Sequence, residues 1–144
     1  MFSPQLSSRA GRPNPFANTY RQIGNETAVS GATPHRLIEM LFDGCMDALA
    51  QAKGGLRSGQ VDVKSRAISR AARIVDEGLR ASLDLRDGGP LAADLHALYG
   101  YLTMRLTSAN LRNDEAAIEE CQRLLTPLRE AWQAIGPQVN GKSR

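Results

Sequence analysis

Cysteine and histidine are scarce in this 144-residue chain, with two of each. Cys45 and Cys121 stand far apart in no ligand-like spacing. That excludes a disulfide framework and fits reduced thiols in a cytosol. His35 and His96 are each preceded three residues earlier by alanine, Ala32 and Ala93, which excludes the Glu-x-x-His pairs of di-iron bundles. There is no His-Glu-x-x-His helix, no Cys-x-x-Cys pair and no phosphate-cradling glycine loop. No apolar run approaches the ~20 residues of a membrane span, and no signal-peptide core follows position 2. Neither sign of charge dominates: 18 basic against 15 acidic residues leave a net +3. The arginines are spread without interleaved aromatics, which falls short of a nucleic-acid footprint. No catalytic apparatus, cofactor or metal site is expected. Glu119-Glu120 reads as a solvated helical face, and both cysteines read as small buried hydrophobes.

What is present is helical period. At 42% apolar and 23% charged residues the composition is that of an ordinary globular chain, long enough for one domain. Thr33-Pro34 is a helix start, with threonine at the N-cap and proline in the first turn. Leu37, Ile38, Leu41, Phe42, Cys45, Leu49 and Ala52 then form one apolar stripe, ending near Gly54-Gly55 or slightly later. A second helix from about Asp62 presents Ala67, Ile68, Ala71, Ile74, Val75, Leu79 and Leu83. After the Asp87-Gly88-Gly89-Pro90 turn, a third carries Leu91, Leu95, Leu98, Tyr99, Leu102, Leu106 and Ala109. Asn113-Asp114-Glu115 opens a fourth with Ile118, Cys121, Leu125, Leu128, Trp132 and Ile135. Pro127 is expected to kink it or to force a restart at Thr126.

Four helices of about 20 residues, joined by short links, predict an all-α, antiparallel up-down four-helix bundle. A weaker period at Phe16, Tyr20, Ile23 and Thr27 predicts a short extra N-terminal helix that must dock on the bundle or fray. Residues 1–15, with Pro4, Pro13, Pro15 and Gly11, read as a flexible N-terminal arm: a solvated basic tail, or a groove-covering or partner-binding segment. Residues 16–136 form the helical domain, and 137–144 a flexible C-terminal tail.

The segments YRQIGNETAVSGATPHRLIEMLFDG, AISRAARIVDEGL, LHALYGYLTMRLTSANLRND and LLTPLREAWQAI occur in that order. Together they resemble the flagellar export chaperone family FliS. The shared pattern is an early tyrosine, then Ser/Thr-Pro-x-x-Leu-Ile-x-Met-Leu-Tyr/Phe-x-Gly, then Leu-Tyr-x-Tyr leading to Leu-x-x-Ala-Asn, and finally Arg-x-x-Trp. Tyr20, Thr33 to Gly44, Leu98 to Asn110, and Arg129 to Trp132 supply it. Phe42 replaces a frequent tyrosine, the arm before Tyr20 is long, and Pro127 is no family hallmark.

The resemblance implies a small cytoplasmic, non-enzymatic bundle that binds the C-terminal segment of flagellin, prevents premature polymerisation and assists type III export. It also implies a substrate-binding role for Tyr20, and the export gate and the flagellar anti-sigma factor as further partners. Adjacent apolar pairs in Leu37-Ile38 and Leu41-Phe42 face more than one direction. Leu98, Tyr99, Tyr101 and Leu102 cannot all point inward, so one tyrosine must lie toward the surface. The expected flagellin groove is therefore Tyr20, Ile23, Leu37, Ile38, Leu41, Phe42, Leu98, Tyr101 and Asn110. The competing expectation is a self-associating structural or regulatory bundle whose exposed stripe closes a homodimer. A nucleic-acid-binding regulator comes third.

Overall fold

The computed structural model describes residues 31–142. Within them four helices follow one another: α1 (Pro34–Arg57), α2 (Val61–Arg73), α3 (Gly89–Arg112) and α4 (Glu115–Lys142). No strand occurs among the described residues. The expected helix over Phe16–Thr27, the arm before it, and Tyr20 and Ile23 lie outside them.

Local chemistry sets each boundary. The Thr33 hydroxyl accepts the Arg36 amide at 3.0 Å, and Pro34 fills the first turn, where no amide partner is needed. At the far end the chain reverses through Gly59 at φ +72°. There Gly55 lets α2 pack close, because a Cβ at Gly55 would sit 2.8 Å from the Lys64 nitrogen. Asn113 ends α3 in the left-handed conformation at φ 53°. The next residue, Asp114, accepts the Ala117 amide at 3.2 Å and opens α4. Two such short links compel antiparallel neighbours.

Cross-helix pairs confirm the up-down order. Arg57 meets Glu115, Lys53 meets Glu119, Asp43 meets Arg129 and His35 meets Trp132, so α4 descends beside α1. Lys64 meets Asn110, and Arg80, seven residues beyond the end of α2, meets His96, so α3 rises beside α2 and its continuation. The core fills the centre with Leu41, Leu49, Ile68, Leu79, Leu102, Leu106, Ile118 and Leu125, none more than 2% exposed.

Three details differ from the sequence expectation. The second helix does not run uniformly: after Arg73 the stretch Ile74–Arg80 is π-helical. Apolar spacing cannot reveal this, since residues four apart share a face in both geometries. Pro127 produces no restart, and α4 passes through it as one helix. Both Pro127 and Arg123 lie on the exposed side, so the carbonyl that loses its amide partner can turn to water. The backbone of α4 also stays helical to Lys142, past the boundary drawn at 136.

Both cysteines are buried. Burial pushes each thiol up to about 12, so the thiolate is scarce at neutral pH. Alkylation of either in the folded protein is expected to be at least ~100-fold slower than in denaturant. Thiol-labelling kinetics followed by mass spectrometry check this; prompt native labelling would contradict it.

Candidate functional site

Helix α3 is apolar on two sides. Its inner face buries Tyr99, Leu102, Leu106 and Ala109. Its outer face carries Tyr101, Met104 and Leu111, which are 38%, 59% and 81% exposed. With Ser108 between them, these positions advance by three, four and three residues, so they form one stripe along the helix. One of the two neighbouring tyrosines does face out: Tyr99 is buried and Tyr101 is not.

The stripe is bordered by a fixed polar edge from α4. The Tyr101 hydroxyl donates to Glu120 Oε2 at 2.7 Å, and Arg105 Nε donates to Oε1 at 2.7 Å. Both Glu120 oxygens are thereby engaged, and the face expected to be merely solvated holds a tyrosine in place. The bond from Tyr101, followed by that from Arg105, holds the Glu120 carboxyl below its ordinary value. The same bond raises the Tyr101 hydroxyl.

A depressed carboxyl stabilises the fold at pH above its unfolded value, and that contribution fades as pH falls through the folded one. Glu120 should thus titrate below ~4.3, the value of a free glutamate. Tyr101→Phe should bring it back upward. A carboxyl-carbon NMR titration of both proteins checks this, and coincident curves would refute the tether.

The residues expected from sequence separate into distinct environments. Leu41 and Phe42 belong to the core, at 0% and 4% exposure. Leu37, Ile38 and Leu98 are half-buried, and Ile38 and Leu98 pack against the core from its margin. Asn110 is half-buried and already engaged. Its side-chain oxygen accepts from Lys64 Nζ at 2.9 Å and from Ser65 Oγ at 3.2 Å, while its carbonyl also accepts from Lys64 at 2.9 Å. Lys64 is only 5% exposed. Its ammonium closes the last turn of α3 from a neighbouring helix, where positive charge meets the negative end of the helix dipole.

Tyr101, 38% exposed, is thus the one expected residue within the described part that is exposed rather than buried or half-buried. Met104 and Leu111 were not expected; they lie three and ten residues beyond Tyr101 on the same side of the helix, with polar Ser108 interrupting the apolar pattern. Leu91, expected on the inner stripe, is 68% exposed at the start of α3, where the helix has only begun to meet its neighbours.

Among the described residues no three metal-ligating side chains cluster, and no helix is long and apolar enough to cross a membrane. A family profile described as flagellar protein FliS matches residues 16–139. The chain is 49% identical over 121 residues to the flagellar secretion chaperone FliS of Salmonella typhimurium, covering 84% of this chain and 90% of that protein. It is 41% identical over 114 residues to the flagellar secretion chaperone FliS of Escherichia coli, covering 79% and 84%. To the flagellar secretion chaperone FliSB of Pseudomonas aeruginosa it is 40% identical over 116 residues, covering 81% and 91%.

Proposed function

This chain belongs to the FliS family of flagellar secretion chaperones, and from that premise we propose that it binds the C-terminal segment of flagellin in the cytoplasm. It then keeps the subunit from polymerising and helps deliver it to the export gate, without catalysing any reaction. The anti-sigma factor is a further partner that only the family resemblance brings in.

The observation that carries the reading is the outer stripe of α3. An amphipathic segment, disordered until bound, buries apolar residues spaced by three and four along a groove. Tyr101, Met104 and Leu111, three and seven residues apart, lie along one such line on the surface. Leu37, Ile38 and Leu98 offer further half-buried apolar surface at the edge of the core. In this reading Tyr20 and Ile23 join the interface from the N-terminal side. Leu41 and Phe42 hold the Leu37 and Ile38 edge of α1 from within the core, and Asn110 fixes the end of α3 on which Leu111 stands. Ordering a disordered segment is costly, so the interface must be long, and Tyr101 serves as its pre-positioned aromatic anchor.

Mixing the protein with flagellin, and separately with flagellin shortened at its C-terminus, tests the proposal by light scattering after gel filtration. A complex with the intact subunit only is the expected result. Equal behaviour of both flagellins would overturn it, and a dimer of this chain indifferent to either would favour the self-associating bundle instead.

A further inference from the structure

The two halves of α4 are held in different ways. Before Thr126 the helix buries Ala117, Ile118, Cys121 and Leu125 in the core. From Thr126 to Ile135 no side chain is fully buried, and Leu128 and Trp132 only pack against the core's margin. This second limb is fastened to α1 at two points. Arg129 Nε donates to Asp43 Oδ1 at 2.7 Å. Farther along, the Trp132 and His35 rings stack at 4.6 Å and 9°.

That stack is closed by two bonds. Trp132 Nε1 donates to the His35 carbonyl at 3.0 Å, and His35 Nε2 lies 2.7 Å from the Trp132 carbonyl, which makes Nε2 the protonated nitrogen. Gly136 makes room for the imidazole, since a Cβ there would come within 2.6 Å of His35 Cε1.

Between the limbs the helix is weakened twice. Pro127 offers no amide to the Arg123 carbonyl. One residue earlier, the Thr126 hydroxyl donates to the Gln122 carbonyl at 2.7 Å, an i−4 bond that loosens and bends helices.

We propose that the limb of α4 beyond Pro127 is a hinged flap, latched to α1 by His35–Trp132 and Asp43–Arg129, that opens as a unit while the rest of the bundle stays folded. Opening would uncover the His35 face of α1, where the imidazole is only 6% exposed against Trp132 and Gly136. The proposal does not depend on flagellin binding.

Hydrogen–deuterium exchange of the full-length protein tests it. Amides of residues 129–135 should exchange at one common rate, at least tenfold faster than those of 117–125, with a step at Pro127. Asp43→Asn, which weakens the fastener nearer Pro127, and His35→Ala, which unlatches the ring, should each raise the rate of 129–135 at least threefold and leave 117–125 unchanged. Pro127→Ala, restoring the missing amide, should slow it. A rate that merely climbs toward the C-terminus, indifferent to Pro127→Ala, would mean ordinary fraying and overturn the hinge. Equal protection on both sides of Pro127 would overturn it as well.

Discussion

Replacing Leu41 by alanine is expected to destabilise the fold by about 2–5 kcal/mol, the usual cost of emptying a leucine site in a packed core. The side chain is 0% exposed, and its methyls lie against the π-helical stretch Ile74–Arg80, where a Cβ on Gly78 would come within 3.1 Å. A site walled by helix backbone has little means of collapsing into the vacated volume, which argues for the upper half of that range. Leu111→Ala, at 81% exposure, should stay within about 0.5 kcal/mol of the parent. Urea unfolding at constant m decides it. A Leu41→Ala protein with an unchanged midpoint would mean that the core is not packed as described.

That contrast explains what sequence could and could not reveal. The four helices were legible because Thr33-Pro34, Asp114 and the apolar stripes act locally, within a turn or two of the chain. Burial along α1 was harder to assign, since Leu37, Ile38, Leu41 and Phe42 are equally apolar. Only the placement of α2 and α4 decides which of them is covered. On α3 the inner stripe drew attention to itself, and the outer one was half hidden by Ser108 and Arg105. Asn110 was recognised through a motif, but its partner Lys64 stands 46 residues away, and periodicity carries no information over that separation. The His35–Trp132 stack spans 97 residues and was invisible for the same reason. The π-helical end of α2 left no mark on apolar spacing at all.

Asn110→Leu is expected to cost about 2–3 kcal/mol, because it strands a charged donor in a buried place. Lys64 Nζ would keep only the Asn110 carbonyl among its present partners, and Ser65 would lose its acceptor. Lys64→Met should cost less, since it removes the charge along with its partner and leaves an apolar chain of similar length. The double variant should therefore lose less than the two single losses together, by about 1 kcal/mol or more, as residues in one network do. Chemical denaturation of the four proteins gives the coupling. Strict additivity would contradict the clamp and return Asn110 to the surface as a candidate contact for a partner.

The central claim is that the outer stripe of α3 receives the C-terminal segment of flagellin. The most direct measurement is calorimetric titration of a flagellin C-terminal peptide into the parent and into a Met104→Lys, Leu111→Lys variant, with the unfolding midpoint of each recorded beside it. The account predicts at least ~30-fold weaker binding by the variant, about 2 kcal/mol, with little change in unfolding because both residues are exposed. Undiminished affinity in a variant that folds normally would place the flagellin site elsewhere and contradict the account.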